Sequence, residues 1–338
     1  MSQLSARRSS PIDPRPPLAV DAPREGEWEC ASGSGTTISI VTPCYNSAKF
    51  VERAYRSLCE QGDAEFEWIV VDDKSPDDTI DTLRDLAAKA PFKMRIFALP
   101  VNSGGGMAYA FGAQMARGHL VFFLDHDDAL LPNVLSGMAQ DWDRHGRTGK
   151  FCGLLYRSMN PETRRFNSPP LGFGAYTMSR IVNTKPSLRD ALFVFDRSIL
   201  QRVYTYELAD KTIYFGVLYS KLTAVRPVLY CRDDAVKLYY LDNDQAMTKN
   251  LVLSRQLIFV YAENFNQADV YYLRRPMLYL KRLFNLVRFS DQVYGSPAHG
   301  LALVRSRLVR ALGYAMIPGY LLARSRLKPP LVYRARMR

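Results

Sequence analysis

Cysteine is sparse in this chain. Five thiols, Cys30, Cys44, Cys59, Cys152 and Cys231, are scattered over 338 residues with no Cys-x-x-Cys spacing. An odd, scattered set argues against a disulfide framework and against structural zinc, and fits reduced thiols in a cytosol. Long apolar runs are missing as well: nothing reaches the roughly 18 uninterrupted residues of a membrane-spanning helix. The N-terminus has no apolar core of signal-peptide type, so no export signal is expected. No internal repeat is visible. Acidic residues nearly vanish from one region. Between Tyr271 and Arg338 fourteen Lys and Arg face a single acid, Asp291, in a chain whose net charge is +12. The first 270 residues therefore sum to −1, and the basicity is a property of the tail.

What is present is ordinary globular material, with 47% hydrophobic and 23% charged residues, enough for about two domains. Residues 1–35 are rich in Pro, Ser and Arg without periodicity and are expected to form a disordered leader. From residue 36 strand and helix patterns alternate. Thr36 to Pro43 reads as a strand that Pro43 stops, followed by a helix over Ala48 to Gln61. Trp68 to Val71 is a buried strand, and Asp77 or Asp78 caps a helix running to about Lys89. Met94 to Leu99 is a third strand. A Gly-rich loop, Asn102 to Gly106, precedes a small-residue helix over Met107 to Arg117. Beyond it come a helix over Pro132 to Arg144, a strand over Phe151 to Met159 and a polar loop over Met159 to Pro186. Strands over Ala191 to Phe195 and Val225 to Cys231 flank a helix at Lys211 to Leu222. Helical patterns follow over Lys249 to Asn266, Pro276 to Phe289 and Leu301 to about Met316. This is the pattern of a Rossmann-like, mostly parallel α/β sheet flanked by helices, with a basic helical C-terminal extension. The expected division is a leader at 1–35, a catalytic domain at 36–250 and a helical region at 251–338.

Leu120 to Asp128 organises the rest. Five apolar residues, Leu120 to Leu124, read as a strand buried on both faces. The run ends in Asp125, Asp127 and Asp128, with His126 between them. Clustered carboxylates at the carboxyl end of a core strand repel one another, and open α/β sheets bind ligands at that end. A solvated acidic turn would look the same in isolation. A hard cation, Mg²⁺ or Mn²⁺, would relieve the repulsion, and its natural second partner is a phosphate.

Three further blocks end the other strands: Thr42-Pro43-Cys44-Tyr45-Asn46, Val71-Asp72-Asp73 with Lys74 to Thr79, and Asn102-Ser103-Gly104-Gly105-Gly106. In this order and spacing the four blocks resemble family-2 glycosyltransferases of the GT-A fold, over about Ile38 to Thr248 and most strongly to Pro132. The resemblance implies a nucleotide-sugar donor. It places Pro43 and Tyr45 beside the base and ribose, with Asp72 or Asp73 accepting from the base N–H or a ribose hydroxyl. Asn102 and Gly104 would let the backbone approach the donor closely. Asp125 and Asp127 match the family's Asp-x-Asp. Asp127 is the expected direct metal ligand and Asp125 its companion beside the donor. His126 is taken as a bystander facing the other way.

The resemblance also implies inversion with one general base, an acid that opens a later helix. Alignment on Thr212 to Phe215 puts Asp210 at the family's Glu and Lys211 at the usual base, where an ammonium cannot accept a proton unless burial lowers its pKa strongly. Asp210 acting after a one-residue shift, Glu207 acting instead, or loss of turnover all stay open. A second departure is Tyr109-Ala110, where the family often has Arg-Asn. Gln245-Ala246-Met247-Thr248 lacks the Gln-x-x-Arg-Trp of processive synthases, so transfer of a single sugar is expected. The acceptor would be a glycan or a lipid-linked molecule in cell-surface polysaccharide assembly. The alternative is a catalytically impaired nucleotide-sugar-binding or scaffolding protein. In the tail, Tyr279, Leu280, Leu283, Phe284 and Val287 alternate with Lys281, Arg282 and Arg288, and Leu308 to Ala323 is apolar apart from Arg310 and broken by Pro318-Gly319. This pattern suggests peripheral binding to anionic lipid at the inner face of the plasma membrane, with no nucleic acid as partner.

Overall fold

The structure, a computed structural model, describes residues 18–19, 37–182, 191–206, 215–243, 258, 261–262, 265–266 and 276–327. Strands are β1 (Leu18–Ala19), β2 (Ile38–Cys44), β3 (Phe66–Asp72), β4 (Lys93–Ala98), β5 (Leu120–Phe123), β6 (Ala129–Leu130), β7 (Gly153–Met159), β8 (Gly174–Tyr176), β9 (Leu192–Asp196), β10 (Val228–Tyr230) and β11 (Ala235–Leu238). Helices are α1 (Val51–Cys59), α2 (Thr79–Ala87), α3 (Gly105–Met115), α4 (Val134–Asp141), α5 (Met178–Val182), α6 (Arg197–Val203), α7 (Phe215–Val225), α8 (Pro276–Tyr294), α9 (His299–Ala302) and α10 (Arg307–Ala323). A π-helical turn, Trp142–Gly146, extends α4.

The strands lie in the order β1-β4-β3-β2-β5-β9-β7-β10-β8, with β11 joining β7 to β6. β4, β3, β2 and β5 are mutually parallel in sequence-crossed order, so the chain reverses its direction of winding between β2 and β5. In doubly wound sheets the crevice at that reversal is the binding site. β9 runs antiparallel between β5 and β7, which makes the sheet mixed. Its all-apolar interior, Leu192 to Phe195, reads as buried but carries no information about direction.

The apolar runs exist because both sheet faces are covered. Ile40, Trp68, Val70 and Phe122 pack on one side with α1; Val41, Ile69, Val71 and Phe123 pack on the other with α3. Helix α3 is rich in Gly and Ala because it lies almost on the sheet. A Cβ on Gly112 would sit 2.3 Å from Val41 Cγ1. At the opposite end of the sheet from the site, buried Glu67 accepts from Ser39 Oγ (2.6 Å), Arg117 N (2.8 Å) and Arg95 Nη1 (2.9 Å), so its charge is fully engaged.

Pro43 does not stop β2, which continues to Cys44. Cys44 O accepts from Asp73 N on the β3 side, so the ring nitrogen of Pro43 faces β5, whose ladder with β2 ends at Val41–Phe123. No donor is missed there. The stretch from Met159 to Pro186 contains β8 and α5 as far as it is described. Leu301 to Met316 is not one helix: α9 ends at Ala302, and α10 restarts behind Ser306, whose hydroxyl accepts from Val309 N. Pro318 does not break α10; it lies inside the helix on its exposed side. Helices α8, α9 and α10 share a core of their own around Leu283, Leu286, Val287, Leu301 and Tyr320. Among the described residues no helix is long and apolar enough to cross a membrane.

Candidate active site

A cavity of about 650 Å³ opens at the carboxyl ends of β2, β4 and β5. That volume lies in the range of small-molecule sites. Pro43, Tyr45, Asp73, Asn102, Gly104, Asp125 and Asp127 all line it. Asp72 is buried beside the cavity rather than on its wall. Glu207, Asp210 and Lys211 lie outside the described residues. Phe123, Phe193, Phe215 and Tyr219 supply an apolar wall of stacked rings.

The two acids after β3 have different tasks. Asp73 accepts from Ser103 N (2.7 Å) and Gly104 N (2.6 Å), one oxygen to each. It thereby fixes the Gly-rich loop, where Gly104 takes φ +89°, open only to glycine at low cost. Asp72 accepts from Ser75 N (3.0 Å) through Oδ2, while Oδ1 is buried without a hydrogen-bond partner. Burial pushes the Asp72 carboxyl above its ordinary range, and the bonds to Ser75 only partly offset this. A buried acceptor with no donor is what an incoming N–H or hydroxyl would satisfy.

The three acids after β5 also divide. Asp128 is fully buried in an ion pair with Lys237 of β11 (3.0 Å) and accepts from Tyr240 N (3.1 Å). Its charge is neutralised within the fold, which leaves Asp125 and Asp127 as the acids that confront a ligand. Tyr109 donates its hydroxyl to Asp125 Oδ1, and burial together with that carboxylate holds the phenol well above its usual pKa. Asn243 Nδ2 donates to Asp127 Oδ2 (2.7 Å). His126 Nδ1 turns back to within 3.2 Å of Pro43 O, although the residue borders the cavity. Cys44 also borders it, but burial first, and Asp72 second, push its thiol up, so it stays protonated and inert.

Residues 239–243 bind this acidic turn from outside. Arg53 of α1 donates to Asp127 O (2.7 Å), pairs with Asp242, and stacks 3.9 Å over the Tyr240 ring. Lys237, Tyr240 and Asn243 went unremarked in the sequence because β11 is four residues long and one of its four, Lys237, is charged. The only available signal was a Lys and an Asn near two tyrosines, which is common on any surface.

Metal fit follows from the donor set. Asp125 and Asp127 offer hard oxygens, and among the described residues no third His, Cys, Asp or Glu joins them. Mg²⁺ and Mn²⁺ are commonly held by one or two carboxylates, with substrate phosphates and water completing the shell. Two carboxylates on the wall of a cavity of small-molecule size fit that habit.

An α/β sheet with this strand order and with its ligand crevice at the β2/β5 reversal is a GT-A glycosyltransferase fold. Residues 39–204 match the glycosyl transferase family 2 profile, so the chain carries a family-2 glycosyltransferase domain. The chain is 34% identical over 110 residues to the poly(ribitol-phosphate) beta-N-acetylglucosaminyltransferase TarS of Staphylococcus aureus, covering 32% of this chain and 19% of that one. It is 36% identical over 110 residues to the succinoglycan biosynthesis protein ExoO of Rhizobium meliloti, covering 32% and 30%. These matches span about a third or less of either relative's length. In fold, the chain is similar to S. aureus TarS 1-349 in complex with UDP-GlcNAc, with TM-score 0.55, 19% identity, and coverage of 83% and 87%. It is also similar to a Pyrobaculum calidifontis mannosyltransferase in complex with GDP-Man and Mn²⁺, with TM-score 0.50, 17% identity, and coverage of 85% and 80%.

Proposed function

We propose that this protein is an inverting, divalent-metal-dependent glycosyltransferase. It would move one sugar from a nucleotide-diphosphate-sugar to a glycan or lipid-linked acceptor in cell-surface polysaccharide assembly. The observation that carries this reading is the division of labour among the acids. Asp73 shapes the loop, Asp128 is neutralised by Lys237, and Asp125 and Asp127 remain at the cavity wall. TarS, seen with UDP-GlcNAc, and the mannosyltransferase, seen with GDP-Man and Mn²⁺, support the donor class and the ion.

In this reading the acceptor hydroxyl oxygen attacks the anomeric carbon from the face opposite the nucleotide. The bond from that carbon to the diphosphate oxygen breaks, and the electron pair leaves with the nucleoside diphosphate. The acceptor proton passes to a carboxylate, Asp210 or Glu207. Asp125 and Asp127 would hold Mg²⁺ or Mn²⁺, which when bound stabilises the charge developing on the leaving diphosphate. Pro43 and Tyr45 would border the base and ribose, Asn102 and Gly104 would border the sugar, and Asp72 Oδ1, buried beside the cavity, would accept from the base or ribose only where the donor displaces the wall in front of it.

Turnover of UDP- and GDP-sugars with Mn²⁺ tests the reading. Asp127→Ala should lose at least about 100-fold in rate; equal rates in both proteins overturn the metal role. Lys211 at the family's base position favours the second reading, a donor-binding protein without turnover. That protein would bind a nucleotide sugar and transfer to no acceptor, whereas loss of turnover in Asp210→Asn excludes it.

A further inference from the structure

The sequence offered two apolar faces in the tail for a membrane. The structure removes one of them: Leu283, Leu286 and Val287 of α8 are buried in the helical core. Among the described residues nothing covers the other. Helix α10 packs inward through Val309, Gly313 and Tyr320. Its outward stripe is Leu308, Ala311, Leu312, Ala315, Gly319 and Leu322, spaced i, i+3, i+4, i+7, i+11 and i+14. Every one of these residues is exposed, Leu308 at 72% and Leu322 at 84%. A soluble helix normally carries polar residues there. This one carries none for about 21 Å of its length.

Charge identifies what covers the stripe. Arg305, Arg307 and Arg310 stand at the N-terminal end of α10, and Arg324 and Arg326 at its C-terminal end. The helix contains no acid. The nearby Asp291 carboxylate is taken by Tyr320 (2.8 Å) and Arg324 (3.7 Å). A second copy seated on the stripe, parallel or antiparallel, would bring arginines against arginines. A surface that is apolar inside and anionic at its rim complements both features at once, and that is a bilayer of anionic lipid. We infer that α10 docks this protein on anionic membrane, lying in the interface with Leu308, Leu312 and Leu322 inserted and Arg307, Arg310 and Arg326 on headgroup phosphates. Its inner face is occupied by the helical core, so it lies on the bilayer and does not cross it. The inference stands apart from the transfer reaction. If donor turnover proves absent, the docking surface is unaffected, and the converse holds.

Flotation of the full chain tests it, using vesicles of phosphatidylcholine alone and of phosphatidylcholine mixed with phosphatidylglycerol. The expected result is flotation with the mixed vesicles, weaker flotation with the neutral ones, and loss on adding salt. Leu308→Ser, Leu312→Ser and Leu322→Ser combined should reduce partition more than about tenfold while the circular dichroism is kept, because the three side chains are exposed. Arg307→Gln with Arg326→Gln should lower partition into mixed vesicles only. Failure of the full chain to float, or flotation of the leucine variant equal to the wild type, overturns the inference. So does sedimentation of the wild type as a dimer that the leucine variant converts to monomer, which would make the stripe a self-interface.

Discussion

Asn243 touches Asp127 through a single amide hydrogen bond, yet it sits where a metal-binding carboxylate must be aimed. Removing it in Asn243→Ala frees the Asp127 side chain to rotate, so Mn²⁺ affinity read by electron paramagnetic resonance should weaken by about tenfold. An unchanged affinity would leave Asn243 a wall residue only. Asp72 lends itself to a pH experiment. Burial pushes its carboxyl above the ordinary value, so the folded chain holds that proton more tightly than the unfolded chain does. The stability this contributes is fully present below the ordinary value and is lost as pH rises through the raised one. Asp72→Asn mimics the protonated state. Its stability to urea, relative to wild type, should therefore improve from acid to neutral pH, while nucleotide binding falls. A relative stability that does not change with pH contradicts the burial argument. Asp72, Asp73, Asp125 and Asp127 stand out in the sequence because they follow apolar runs, and the structure sets Asp73, Asp125 and Asp127 on the cavity wall with Asp72 buried beside it. Their separate tasks were not legible, because the partners of Asp73 lie 30 and 31 residues away and that of Asp128 lies 109 away.

At the level of elements, β3 and β5 were readable as strands because both faces are buried, so Trp68 to Val71 and Leu120 to Phe123 run without a polar break, and β2 was readable from its β-branched Ile38, Ile40 and Val41. β11 and the antiparallel setting of β9 were not, since strand direction is set by the connection and not by composition. Pro43 and Pro318 misled for different reasons: the missing N–H of Pro43 faces β5 beyond the end of their shared ladder, whereas Pro318 takes the i+4 donor from the Tyr314 carbonyl, which lies on the exposed side of α10 within reach of water. The contact between α3 and β2 yields a packing test. Gly112→Val places a branched side chain against Val41 and Val71, and it should cost about 1–3 kcal/mol in urea unfolding. The Glu67 anchor yields an electrostatic one. Glu67→Ala leaves Arg95, itself buried, without its carboxylate and should cost about 3–5 kcal/mol, whereas a surface pair such as Arg84–Asp81 should cost almost nothing when broken.

For the molecule as a whole, the two faces of the sheet and the α8–α10 helices form distinct apolar clusters. Clusters that share no residues tend to open as separate units. Native-state hydrogen exchange should then show α8 and α10 protected at one free energy and β2, β3 and β5 at a higher one. A single value throughout would show that the helical region and the sheet unfold together. The concentration of basic residues in the tail was plain from sequence, but which helix face they serve depends on how α8 packs, and that appears only in three dimensions.

Calorimetric titration of UDP- and GDP-sugars into the full chain, with Mn²⁺ and then with the ion chelated, tests most directly whether a nucleotide sugar is held at Asp125 and Asp127. One of the donors should bind the wild type with Mn²⁺, bind at least about tenfold more weakly without it, and show no dependence on Mn²⁺ in Asp127→Ala. Binding of equal strength in all three conditions would contradict the assignment.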